Sequence, residues 1–122
     1  MKKILIIDDE EDFCYFVKKN LEMTEYFEVA VCTDSAKAVQ QVRQIRPDLI
    51  LVDIMMPVID GPSIVAELEE SEDTKNIPFV FLTAMITNEE TKKNKNIIND
   101  AYFVAKPVNV KELIYTINRL TQ

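Results

Sequence analysis

Short apolar runs alternate along the chain with stretches whose apolar residues recur every three or four positions. Lys3–Asp8 (KILIID), Phe27–Cys32 (FEVAVC), Asp48–Asp53 (DLILVD), Phe79–Thr83 (FVFLT) and Tyr102–Ala105 (YFVA) are rich in β-branched and aromatic residues and read as strands. Most are apolar at successive positions, the pattern of a parallel sheet covered on both faces. Between them, Glu10–Met23 places Phe13, Phe16, Val17 and Leu21 at helical spacing, and Ser35–Ile45 does so with Ala38, Val39, Val42 and Ile45. Pro62–Glu70 has proline near its first turn and Ile64, Val65 and Leu68 behind it. Asn88–Asn99 carries the weakest helical pattern, and Val110–Leu120 closes the series with Leu113, Ile114, Ile117 and Leu120. Arg46-Pro47 ends the second helix and Ile77-Pro78 introduces the fourth strand.

Five strand–helix units in strict alternation predict an α/β fold, a doubly wound five-stranded parallel sheet. No linker, repeat or low-complexity stretch interrupts the 122 residues, so one domain over 1–122 is expected, large enough for a core without staples. In such sheets the chemistry sits at the carboxyl ends of the strands. The first strand ends in Asp8-Asp9, the third in Asp53, the fourth in Thr83-Ala84 and the fifth in Lys106-Pro107. Only the second, ending in Cys32-Thr33, brings no evident chemistry to that edge.

Composition narrows the chemistry further. The chain has one glycine, Gly61, and no histidine. A lone glycine builds neither a dinucleotide-binding loop nor a phosphate loop, both of which need several positions without Cβ. Without histidine there is no Ser-His-Asp or Cys-His nucleophile, no imidazole acid–base catalysis and no His-liganded zinc. Acidic residues outnumber basic ones 21 to 14, a net charge of −7 that disfavours direct binding to nucleic acid or an anionic membrane. No apolar run approaches the roughly 18 residues of a membrane span. The run after Met1-Lys2-Lys3 stops at Asp8-Asp9-Glu10-Glu11-Asp12, so no signal peptide is read and a cytoplasmic location is expected. Cys14 and Cys32 lack C-x-x-C spacing and are expected to be free thiols. Lys92-Lys93-Asn94-Lys95 reads as the solvated face of the fourth helix.

Converging carboxylates need relief, because two of them 4 Å apart repel by roughly 4 kcal/mol at an effective dielectric near 20. A raised pKa or a bound cation supplies it, and a few carboxylates with room for water and phosphate suit Mg²⁺ (or Mn²⁺). Lys106 offers a compact positive charge for one phosphoryl oxygen and Thr83 a hydroxyl for another. The natural nucleophile is then a carboxylate, and the natural intermediate an aspartyl phosphate.

Asp8-Asp9 after the first strand, Asp53 within D-I-M-M-P-V-I-D-G, Thr83-Ala84 and Lys106-Pro107 together resemble the receiver domain of two-component response regulators, over the chain from Lys2 to about Leu120. The resemblance implies strand order 2-1-3-4-5 and phosphorylation of Asp53 by a histidine kinase or histidine phosphotransfer protein. It also implies Mg²⁺ held by the Asp9 and Asp53 carboxylates and the Met55 carbonyl, with Asp8 acting through water. Thr83 and Lys106 are implied to hold the phosphoryl oxygens, with a cis peptide joining Lys106 and Pro107. Phosphorylation is then expected to change the surface of the fourth helix, fifth strand and fifth helix, a switch and not a classical enzyme.

Several features depart from that pattern or refine it. Asn99-Asp100 stand where the family usually has Gly-Ala, and Asn is the best replacement in a left-handed turn. The Thr83-to-Lys106 interval of 23 residues is about one longer than in some members. Phe103 stands at the aromatic switch position and is expected to couple to Thr83, while Met55 and Met85 flank the approach of a hydrolytic water and are expected to lengthen the phosphoryl lifetime.

Other readings fit less well. A receiver that binds partners without phosphorylation has to ignore an intact Asp, Thr and Lys set. A haloacid-dehalogenase-like phosphatase wants an acid two residues beyond its nucleophile, where Met55 stands. A flavin-binding module wants a phosphate loop where the acidic run lies. No DNA-binding or catalytic segment is read after Leu120, which fits a stand-alone protein and a receiver from a longer regulator equally.

Overall fold

The apolar runs pair into a parallel sheet whose two faces are both buried. In the computed structural model, which describes residues 1–84, 97–98 and 101–122, the elements are β1 (Lys2–Ile7), α1 (Glu11–Glu22), β2 (Phe27–Cys32), α2 (Ala38–Ile45), β3 (Leu49–Asp53), α3 (Gly61–Glu69), β4 (Phe79–Thr83), β5 (Ile97–Ile98), β6 (Ala101–Ala105) and α4 (Val110–Leu120). A single 3₁₀ turn, Ser35–Lys37, leads into α2. The sheet order is β2-β1-β3-β4-β6-β5, and the five strands β2, β1, β3, β4 and β6 run parallel. With β6 counted as the fifth parallel strand, this is the expected order 2-1-3-4-5.

One expectation needs correction. The helix expected over Asn88–Asn99 does not include Ile97 and Ile98, which form β5, antiparallel to β6 through Ile97↔Tyr102 and Ile98↔Ala101. A β-branched pair favours strand pairing, and it covers backbone groups of β6 that an edge strand leaves open. Positions 88–96 and 99–100 lie outside the described residues, as do Lys92, Lys93, Asn94 and Lys95.

Ile4, Leu5, Ile6 and Ile7 are successive and all fully buried, so β1 points side chains into cores on both sides. One face joins Ile4, Ile6, Leu49, Leu51, Val80, Leu82 and Val104 to α1 and α4 through Val17, Leu21, Leu113 and Ile117. The other joins Leu5, Ile7, Ile50, Val52 and Phe81 to α2 and α3 through Val42, Ile64 and Leu68. Each such side chain contributes about 1.5–3 kcal/mol by leaving water. Cys14 belongs to the first core and Cys32 to the second; with the sheet between them they are free thiols.

Capping fixes the helix ends nearest the site. Asp60 Oδ1 accepts from Ser63 N at 2.8 Å to start α3, and Asn109 Oδ1 accepts from Glu112 N at 3.2 Å to start α4. On the outer strand, α1 closes part of the open edge: Lys18 Nζ donates to Val29 O at 2.6 Å, and Glu22 Oε2 accepts from Val29 N at 3.2 Å. Lys18 and Glu22 are themselves paired at 3.4 Å.

Candidate functional site

Parallel register carries the strand ends to one edge. Ile7 pairs with Cys32, Asp53 with Leu82, and Thr83 with Ala105. Single backbone bonds then extend the ladders past the strands, from Asp8 N to Cys32 O (3.1 Å), Ile54 N to Leu82 O (3.1 Å) and Lys106 N to Thr83 O (2.9 Å). Asp8, Asp53, Thr83 and Lys106 are thereby delivered side by side. A cavity of about 170 Å³ between them is lined by Glu10, Asp53, Met55, Thr83, Ala84 and Lys106. A larger cleft of about 420 Å³, near Lys3 and Glu28, mixes Lys18, Glu22 and Gln44 and shows no such convergence.

Lys106 is the hub. Its Nζ lies 2.7 Å from Asp8 Oδ2, 2.8 Å from Glu10 Oε1 and 3.5 Å from Asp53 Oδ2, and 4.5 Å from the centre of the Phe13 ring. The Lys106–Pro107 peptide is cis. Asp8 is fully buried; Oδ1 accepts from Glu10 N at 2.9 Å, whereas Oδ2 has the ammonium charge close by but no aligned hydrogen bond. Asp53 Oδ1 accepts a long 3.4 Å bond from Met55 N.

Burial governs the titration of this group. Desolvation pushes Asp8 up from the usual carboxylate range, against the opposing pull of Lys106 and the Glu10 amide. Desolvation also raises Asp53, and the Asp8 charge raises it further, again opposed by Lys106. For Lys106 desolvation works downward, but its contacts with Asp8 and Glu10 and the charge of Asp53 outweigh it, so the ammonium is held well above its ordinary value. Burial and the Asp8 charge push the neighbouring Cys14 thiol up to about 12, which keeps it an inert thiol donating to Asp8 O at 3.3 Å.

A divalent cation fits the residues present. Carboxylate oxygens of Asp8, Glu10 and Asp53 lie within 4.8 Å of one another, the donors are all hard oxygens, and Asp8 Oδ2 is a buried acceptor without an aligned donor. Asp9 is placed differently. It is exposed and lines a separate cleft of about 140 Å³ with Thr33, Ser35, Met56, Pro57 and Val58. Glu10, which the sequence pattern marks only as the start of the first helical segment, stands in the acidic group. At the N-cap of α1 the Glu10 side chain makes no capping bond and pairs with Lys106 instead.

Thr83 is buried at the end of β4, and Met55 is mostly exposed at the cavity mouth. Phe103 pairs in register with Phe81, its ring centroid 5.3 Å from that of Phe81, so strand alternation puts it on the same sheet face as Thr83. Met85 lies outside the described residues.

The family model for the response regulator receiver domain matches residues 4–118. The chain belongs to the response regulator receiver domain family. It is 34% identical over 120 residues to the DNA-binding dual master transcriptional regulator RpaA of Synechocystis, covering 98% of this chain and 49% of that protein. It is 31% identical over 118 residues to the transcriptional regulatory protein PrrA of Mycobacterium tuberculosis, covering 97% of this chain and 49% of that one. The chain thus spans about half the length of the curated relatives it matches. Among solved structures it is similar to chemotaxis protein CheY4 of Vibrio cholerae, with TM-score 0.81, 27% identity and 98% coverage of both chains. The Francisella response regulator 1452 receiver domain gives TM-score 0.80 at 26% identity, covering 99% of this chain and 97% of that one.

Receiver domains are signalling modules of two-component systems and not classical enzymes. This receiver domain presents the acidic pocket at which the family binds Mg²⁺. Among the described residues no helix is long and apolar enough to cross a membrane.

Proposed function

We propose that Asp53 of this receiver domain accepts a phosphoryl group in a Mg²⁺-dependent reaction. The observation that carries the reading is the shared cavity: Asp53, Lys106 and Thr83 line one space, and a buried acidic neighbour, Asp8, lies against the same lysine. An Asp53 carboxylate oxygen attacks phosphorus as the bond to the donor nitrogen breaks, and that electron pair leaves with the donor imidazole. The donor phosphohistidine lies outside these 122 residues, on a histidine kinase or histidine phosphotransfer protein, because they contain no histidine. The Asp53 carboxylate and the Met55 carbonyl would hold Mg²⁺, with Asp8 through water and Asp9 turned in from the adjoining cleft, and the ion would neutralise charge on the phosphoryl oxygens. Glu10 lies within the same acidic group.

Lys106 stays cationic throughout, and moves from Asp8 and Glu10 toward a phosphoryl oxygen. The Thr83 hydroxyl donates to another. With Thr83 drawn inward, Phe103 on the same sheet face follows, and the surface around β6 and α4 changes for a downstream partner or output domain. The location is cytoplasmic, the whole chain acts as one unit, and self-dephosphorylation is slow.

Incubation with acetyl phosphate and Mg²⁺, followed by intact-mass measurement, is expected to show one added phosphoryl group that is lost in Asp53→Asn. An adduct that survives this substitution places the chemistry on another residue.

A further inference from the structure

The loop after Asp53 is wound in a direction its residues resist. Ile59 N donates to Pro57 O at 2.9 Å around Val58, whose φ is 73°. This is a γ-turn of the positive-φ form, the rare and strained one. Val58 is β-branched and 86% exposed, so neither its conformational preference nor burial of its side chain keeps it there.

The hold comes from across the adjoining cleft. Ser35, buried at the start of the 3₁₀ turn before α2, donates its hydroxyl to Pro57 O at 2.6 Å and accepts from Ile59 N at 3.2 Å. One side chain therefore grips both peptide groups that close the turn. Ser35 is itself fixed locally, since its carbonyl accepts from Ala38 N and the preceding Asp34 Oδ1 accepts from Ala36 N at 3.1 Å. Donating and accepting at once needs a hydroxyl; alanine does neither.

What the turn positions lies on both sides of it. Asp9, Met56 and Pro57 share its cleft, Met55 N reaches back to Asp53 Oδ1, and Gly61 N closes the loop onto Ile54 O at 2.9 Å. We infer that Ser35 is a positioning residue whose hydroxyl, by closing the strained turn at Val58, fixes the Met55–Pro57 backbone beside Asp53 and so sets how well the site takes up a divalent cation and a phosphoryl group. The consequence for phosphorylation rests on the reading of Asp53 as acceptor; the clamp itself does not.

The test uses the full chain as wild type, Ser35→Ala, Ser35→Thr, Val58→Gly and the Ser35→Ala/Val58→Gly double variant. The first readout needs neither cation nor phosphate: exchange of the Ile59 amide by NMR is expected to accelerate about tenfold in Ser35→Ala, the scale of one lost hydrogen bond, with β1 and β3 amides unchanged. The second is the Mg²⁺ concentration for half-maximal phosphorylation by acetyl phosphate. It is expected to rise about fivefold in Ser35→Ala, with a smaller change in rate at saturating Mg²⁺. Ser35→Thr keeps the hydroxyl and stays near wild type. Val58→Gly restores the half-saturation in the double variant, because glycine takes positive φ without a clamp.

A wild-type Mg²⁺ half-saturation in Ser35→Ala overturns the positioning role, whether or not the Ile59 amide loosens. So does failure of Val58→Gly to restore it. If wild type itself takes up no phosphoryl group, the acceptor reading has failed instead, and the Ile59 amide still decides whether Ser35 holds the turn.

Discussion

Two loops frame the cavity, and they are held by different physics. The β1–α1 junction is fixed by charge: buried Asp8, the exposed Glu10 and the lysine from beyond β6 form a mutually dependent group. The β3–α3 loop is fixed by neutral contacts, the Ser35 hydroxyl in the middle and the bond from Gly61 to Ile54 at its end. The first loop is electrostatically unrelieved and responds to pH, cations and substitution of one partner. The second is sterically strained and responds to loss of the Ser35 hydroxyl and to backbone shape, not to pH.

The largest expected effect breaks the neutral side. A Cβ at Gly61 meets Asp53 O at 2.2 Å and Ile54 Cα at 3.1 Å, both backbone atoms that cannot swing aside. Gly61→Ala is therefore expected to lose about 3 kcal/mol in urea unfolding, equally at pH 5 and pH 8, and to abolish phosphorylation at Asp53. Next comes the charged side. Lys106→Met leaves Asp8 and Asp53 without their shared cation and is expected to cost about 2–3 kcal/mol at pH 7. Unlike the glycine variant it recovers in acid, because protonation of the two carboxylates removes the repulsion.

A gain in stability is expected from Asp53→Asn. The Asp53 pKa is raised above its ordinary 3.8 by desolvation and by Asp8, so its favourable contribution is full below 3.8 and lost as pH rises through the folded value. Removing the charge should raise the unfolding midpoint at pH 7 by about 4 °C, with the gain vanishing in acid; a midpoint unchanged at both pH values contradicts the sign. Mg²⁺ should stabilise wild type in the same assay and this variant much less. The smallest effect sharpens the neutral side. Val58→Gly relieves positive φ at a β-branched residue but adds freedom to the unfolded chain, a net gain of about 0.5 kcal/mol that is the same at every pH.

Much of this is legible in the sequence. Phe27–Cys32, Phe79–Thr83 and Val110–Leu120 occupy the positions their apolar patterns marked. Asp8, Asp53, Thr83 and Lys106 meet because a parallel sheet turns a list of strand ends into a place. Legibility stops one residue later. Strand alternation dictates where Ile7 and Asp8 point, but Asp9 and Glu10 lie beyond it, and the helix start decides that Glu10 faces Lys106 while Asp9 faces the Pro57 side. Ser35 was unreadable for another reason. Its partners are 22 and 24 residues away, and no local pattern distinguishes a clamp from an ordinary helix-start serine. Ile97–Ile98 failed as a helix because two β-branched residues beside an open strand edge find a better partner there than within a weakly patterned helix.

The Lys18–Glu22 pair on α1 has a consequence for how copies of this chain meet. By taking both the carbonyl and the amide of Val29, it occupies the central rung that an incoming strand needs on the outer side of β2. Sheet-to-sheet growth along that border is blocked by two side chains one helical turn apart.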